Sequence, residues 1–175
     1  GVISVHGYVY PVHEPLPEAF FLRGADCWVW ATWRRGWAQF NPDGQFLLDE
    51  LKRQNLLRAF DFNGVYSYSA MLEGQINGSN DSWAVRWHAS AFLANKLTLY
   101  PGRSLVHNIG NDASGTHCSA SQAYDVPLAT SPIVNLPDEI EESVTARRAF
   151  GAFYRGRRGP LWRRAGRHLR SLWRG

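Results

Sequence analysis

The sequence predicts an α/β fold that is mostly helical with a few short strands. Three observations carry this. Short apolar runs rich in β-branched and aromatic residues occur at Val2–Val5, Phe20–Leu22 and Leu97–Tyr100. Longer segments repeat apolar residues at steps of three and four. Between them stand turn clusters such as Asn41-Pro42-Asp43-Gly44, Asp61-Phe62-Asn63-Gly64 and Asn77-Gly78-Ser79-Asn80.

Taken in order, Val2–Val5 is the first strand and exits through His6-Gly7-Tyr8-Val9-Tyr10-Pro11. Glu14-Pro15-Leu16-Pro17 is a loop, because proline removes a backbone donor and fixes φ. Phe20–Leu22 is the second strand. Asp26 is placed as the cap of a helix reaching Phe40, with Trp30, Trp33, Trp37 and Phe40 along one face. A second helix is expected from Phe46 to Leu57, and helix is favoured over Tyr66–Ile76. A further helix starts at Asp81 and ends near Lys96, and the strand Leu97–Tyr100 closes at Pro101-Gly102. Residues 108 to 119, rich in Asn, Gly and Ser, read as an irregular loop. The last helix of the domain is expected from Pro137 to about Phe153, with Glu139, Glu141 and Glu142 at its start to suit the helix dipole.

The 175 residues suit one domain, and 45% hydrophobic against 19% charged residues excludes a wholly disordered chain. The first residue is Gly1 and the only methionine is Met71, which suggests an internal or C-terminal piece of a longer protein. Cys27 and Cys118 fit neither a zinc pattern nor a disulfide framework and read as buried thiols of a reducing compartment. No apolar stretch approaches the ~20 residues of a membrane span.

The net charge of +4 is unevenly spread. Residues 155–175 hold eight arginines and no acid, whereas the other 154 residues carry 11 basic and 15 acidic side chains. This divides the chain into a domain over 1–153 and an Arg-rich amphipathic tail over 154–175. The domain surface is therefore no nucleic-acid footprint. In the tail, Leu161, Trp162, Ala165, Leu169, Leu172 and Trp173 share one face. Residues 160–174 suit peripheral contact with an anionic lipid surface; a solvated terminus and an RNA-binding patch are the alternatives.

Phosphate loops, dinucleotide turns, nucleophile elbows, H-E-x-x-H and the metal-binding D-x-D pair are all absent from the sequence. Three segments nonetheless carry a resemblance: FFLRGADCWVWATWRRGW (20–37), SWAVRWHASAFL (82–93) and LTLYPGRSLVHNIGNDASGTHC (97–118). Together with connecting pieces such as FDFNGVYSY, the sequence over residues 1–150 resembles the C-terminal half of bacterial sugar transferases of the family 2-like glycosyltransferase group, some of which are named hemolytic-protein-like. The resemblance implies the C-terminal portion of a GT-A fold, with the N-terminal nucleotide-binding strands and the D-x-D upstream of Val2. Two departures stand out: Val29 and Ala113 occupy places where relatives often have glycine. Asp81-Ser82-Trp83 is also similar to the W-D-D-W segment of N-acetylglucosaminyltransferases. Ser82 fills one of its two acidic places, so only Asp81 is carried over.

The resemblance implies transfer of a sugar from a nucleotide-diphosphate sugar to a hydroxyl of a glycan or lipid-linked acceptor, in cell-surface glycan synthesis. It implies Mg2+ or Mn2+ in the intact enzyme, and a cytoplasmic location, peripheral at the inner membrane face. Such transfer needs a base for the acceptor proton, and Asp81 at a helix start is the candidate; a helix cap is its alternative role. Asp26 is the second carboxylate, and Trp28, Trp30 and Trp83 offer ring faces to a sugar, with core packing as the alternative. Arg86 is a candidate phosphate or Asp81 partner. In the 108–117 loop, Asn108, Gly110, Asp112, Ser114, Gly115 and His117 suit a lid over the nucleotide sugar, with His117 a candidate metal ligand. A non-catalytic carbohydrate-binding module, or a membrane-surface protein acting through the tail, are the competing functions.

Overall fold

The computed structural model describes residues 1–107 and 122–157. Its centre is a four-stranded mixed sheet of β1 (Val2–His6), β2 (Ala19–Arg23), β3 (Trp30–Thr32) and β4 (Leu97–Pro101), in the order β2-β4-β1-β3. β1 runs parallel to β4, while β1–β3 and β2–β4 are antiparallel. Six helices accompany it: α1 (Arg34–Trp37), α2 (Gly44–Arg53), α3 (Leu57–Phe60), α4 (Tyr68–Ile76), α5 (Trp83–Leu93) and α6 (Val144–Arg157). The described residues are thus mixed α and β, and the three strands expected from their apolar runs are present.

The pleat decides what each strand faces. Ser4, Thr98 and Leu22 lie side by side across three strands and so share a face. On that face Phe20, Leu22 and Tyr100 meet Ala146, Phe150 and Tyr154 of α6. Ile3, one residue out of phase, points the other way and packs against Trp87 and Ala91 of α5. Burial of such an aromatic or Leu/Ile side chain stabilises by about 1.5–3 kcal/mol. Two buried hydroxyls inside the sheet satisfy each other: Ser4 Oγ and Thr98 Oγ1 are 2.5 Å apart, and Thr98 Oγ1 donates to Gly24 O at 2.8 Å, whereas Nε2 of the buried His6 has no partner. A second core joins α2, α3, α4 and α5 through Leu47, Leu48, Leu51, Phe60, Leu72, Val85, Ala89 and Phe92.

The helix expected over residues 26–40 does not form. Trp30–Thr32 instead makes the edge strand β3, with Ser4 opposite Thr32 and His6 opposite Trp30. Only the single turn α1 follows. Aromatic and β-branched residues at 29–33 suit a strand, and pairing with β1 outweighs their helix-like spacing. Asp26 consequently caps no helix. Its Oδ1 accepts from Cys27 N at 2.7 Å and its Oδ2 from the Tyr10 hydroxyl at 3.0 Å.

Other boundaries move for local reasons. α2 begins at Gly44 because Asp43 caps it, Oδ1 accepting from Phe46 N at 3.0 Å, and it stops before Asn55, whose φ is 56°. α5 is capped by Ser82 rather than Asp81, with Ser82 Oγ accepting from Val85 N at 3.3 Å. It ends at Leu93, before Asn95 at φ 52°. α6 starts only at Val144, where Ser143 Oγ accepts from Ala146 N at 3.2 Å. Glu139, Glu141 and Glu142 therefore lie before the helix and not in its first turn. Glu142 serves elsewhere, accepting from Arg23 N at 2.9 Å and pairing with Arg147 at 3.0 Å. α6 continues to Arg157, across the boundary drawn after residue 153.

Gly24 links β2 to the site. Its φ is +96°, and a Cβ there would sit 2.4 Å from His88 Cε1. Only glycine lets the chain turn under that imidazole.

Candidate functional site

Two aromatic groups meet the candidate residues, one on each side of Val29. The first lies where the β3 edge, α1 and the start of α5 converge. Trp30 from β3 is 5.7 Å from Trp83, 6.0 Å from Trp37 and 5.6 Å from Trp87, measured between ring centroids. Trp37 in turn stacks on Phe40 at 4.7 Å. Trp87 is fully buried and its Nε1 has no partner, whereas Trp37 and Trp83 are 43% and 41% exposed. The core of α5 thus continues outward into a ring-lined surface.

Asp81 comes just before this surface in the chain. Its neighbours do the local structural work. Asn80 Oδ1 accepts from Ser82 N at 3.0 Å, Asn80 Nδ2 donates to Met71 O at 3.1 Å, and Ser82 caps α5. Asp81 is left exposed at the positive end of the helix dipole, two residues before Trp83. A carboxylate in that position is open to solvent. Arg86 is used differently: its Nη1 donates to Pro42 O at 3.0 Å and its guanidinium lies 5.9 Å from the Phe40 ring centre. It fastens the 41–43 turn to α5.

The second group surrounds Asp26. Trp28 packs on Tyr8 at 5.2 Å, Tyr124 at 5.1 Å and Tyr10 at 6.0 Å. The Tyr10 hydroxyl bonds Asp26, and the Tyr8 hydroxyl donates to Tyr124 O at 2.7 Å. Burial, and next the Asp26 charge, push Tyr10 well above the usual phenol range. The same two causes bring the Cys27 thiol up to about 12. Burial leads again at Tyr66, pushed up to about 12, and at Tyr68, Tyr100 and Tyr154. At neutral pH this group therefore presents protonated hydroxyls around one carboxylate. His88 closes its inner side, stacked on Tyr68 at 4.3 Å with Nδ1 against the Ala25 backbone. Burial lowers its pKa, and its Nε2 has no partner.

Val29 separates the groups. Its φ is 49°, left-handed in a β-branched residue. In an extended chain Trp28 and Trp30 would share a face; the left-handed residue between them sends one ring to each group. Of the residues expected from sequence, Trp30 and Trp83 are in ring contact, Asp81 precedes Trp83 by two residues, and Asp26 and Trp28 lie in the other group. Trp37, Tyr8, Tyr10 and Tyr124 were not picked. The alternation of Tyr8-Val9-Tyr10 is the available signal for two of them, but nothing local marks Tyr124.

Asn108, Gly110, Asp112, Ser114, Gly115 and His117 lie outside the described residues, as does the tail over 160–174. The chain flanking that loop is held near the second group: Leu105 N donates to Gly7 O at 2.9 Å, and Tyr124 packs on Trp28. Among the described residues no three His, Cys, Asp or Glu side chains converge on a metal position. A cleft of about 750 Å3 lies between 9–18 and 126–133. It has Tyr10 on its wall but neither Asp81 nor Trp83. No helix among the described residues is long and apolar enough to cross a membrane. Comparison with family models, with curated proteins and with solved structures gave no match.

Proposed function

We propose that this chain is the acceptor-side part of a GT-A glycosyltransferase that hands a sugar from a nucleotide-diphosphate sugar to a hydroxyl. The observation that carries this reading is Asp81, exposed next to the α5 cap made by Ser82 and two residues before Trp83, whose ring packs with those of Trp30 and Trp37. Flat rings stack on the apolar faces of sugars, and a carboxylate beside them accepts a sugar hydroxyl. The described parts of the segments that carry the family resemblance pack together: β2 and β4 pair, His88 of α5 sits over Gly24, and Trp30 meets Trp83 and Trp87.

In the transfer, the acceptor hydroxyl gives its proton to Asp81 as its oxygen bonds to the anomeric carbon. The bond from that carbon to the diphosphate breaks, and the nucleoside diphosphate leaves with the electron pair. Positioned proton transfer of this kind is worth about 10²–10⁴-fold in rate. The described residues offer no metal site, so no step is assigned to a metal. The nucleotide-binding half implied by the resemblance is also outside this sequence, and the 175 residues alone are expected to turn over little or no nucleotide sugar.

The test is Asp81→Asn in an active form that includes a nucleotide-binding half. A loss of kcat of about 100-fold or more at little-changed acceptor KM supports the base role. Unchanged kcat removes it and leaves the competing reading, a carbohydrate-binding surface without catalysis.

A further inference from the structure

Around α1 the tryptophan surface acquires positive charge. Trp33 is 40% exposed and caps α1; Arg34 and Arg35 follow it, both exposed, and Trp37 ends the turn. The Arg35 guanidinium lies over the Trp33 ring at 4.7 Å. Among the described residues neither Arg34 nor Arg35 forms an ion pair. The rings are fixed from below, since Trp37 packs on Trp87 at 5.2 Å and on Phe40. β3 beside them is the outer strand of the sheet.

From this we infer that the exposed corner formed by Trp33, Arg34 and Arg35, next to the rings of Trp37 and Trp83, docks on an anionic lipid surface. Indole rings favour the boundary between headgroups and acyl chains, where the ring is apolar and its N–H stays wet. Guanidinium groups pair with lipid phosphates. Two arginines without an ion pair beside the exposed Trp33 ring meet both requirements. This site is separate from the tail: α1 holds it within the folded core. It goes beyond the transferase reading and does not depend on it. Where that reading holds as well, Asp81 works beside the lipid surface, and the acceptor is a hydroxyl carried on a lipid.

The experiment is co-sedimentation of the full chain with vesicles of phosphatidylcholine alone and with added phosphatidylglycerol. Arg34→Glu/Arg35→Glu is compared with Arg58→Glu/Arg148→Glu, which changes the net charge equally at exposed sites on α3 and α6. Trp33→Ser probes the ring contribution, with a thermal melt confirming that each variant is folded. The inference predicts that Arg34→Glu/Arg35→Glu lowers partitioning to anionic vesicles at least tenfold. The control pair should lower it less than threefold, and Trp33→Ser should weaken it in both vesicle types. Equal losses for the two charge pairs, or none for Trp33→Ser, would overturn it. So would sedimentation showing that the face is covered by a second copy of the chain. Loss of lipid binding with sugar transfer intact, or the reverse with Asp81→Asn, tells the two readings apart.

Discussion

Val29→Gly is the perturbation that isolates the turn between the two aromatic groups. Val29 is held at φ 49° while its side chain is 54% exposed. The left-handed conformation costs an L-residue about 1–2 kcal/mol, and a β-branched one sits at the upper end. Glycine removes that cost but adds back about 0.5–1 kcal/mol of unfolded-chain entropy. The exposed valine side chain gives up little burial, so the net gain is about 0.5–1 kcal/mol. For a chain of this size that raises Tm by about 1–4 °C. The hydrogen bond from Gly7 N to Val29 O at 2.8 Å is made by the backbone and survives the change. Thermal and urea unfolding of the two proteins measure the difference. Asn55→Gly is the control, because Asn55 is also left-handed, at φ 56°, but asparagine tolerates that region and the gain should be smaller. A clear fall in Tm for Val29→Gly would refute the assignment of strain to this turn.

Two more perturbations act on the same frame. Gly24→Ala drives a methyl to 2.4 Å from His88 Cε1 at a φ of +96°, and should destabilise by about 3 kcal/mol or more, read as a lower urea midpoint. Burial lowers the His88 pKa, so the folded protein refuses a proton that the unfolded chain accepts below its ordinary value of 6.5. Stability from this group is therefore full above that pH and falls as pH drops below it, by at most about 1.4 kcal/mol per unit. His88→Gln should flatten the pH dependence of the urea midpoint between neutral and mildly acidic pH, whatever its effect on absolute stability.

The parts of the fold that were legible are those whose signal is local. Val2–Val5, Phe20–Leu22 and Leu97–Tyr100 are compact apolar runs, and each is a strand. Residues 26–40 misled because Trp30, Trp33, Trp37 and Phe40 fall at helical spacing, while the force that makes 30–32 a strand is pairing with β1, some two dozen residues earlier. The acids at 139, 141 and 142 looked like a helix start. Glu142 is held instead by Arg23 and Arg147, which a reading of neighbours along the chain does not see. At the candidate site the residue types Asp81, Trp30 and Trp83 were legible as chemistry. Their grouping was not, because it depends on the turn at Val29 and on α5 packing beneath the sheet edge. Asp26 was read as a cap for want of any local sign that Tyr10 would claim its carboxylate.

The central claim is that the rings of Trp30, Trp37 and Trp83 form a sugar-binding surface beside Asp81. Titrating the isotope-labelled chain with oligosaccharides, while following the indole N–H resonances, tests it most directly. The account predicts that the signals of Trp30, Trp37 and Trp83 move together and saturate, while that of Trp28, packed among Tyr8, Tyr10 and Tyr124, stays in place. Movement confined to Trp28, or no movement of any indole by any sugar tried, would contradict it.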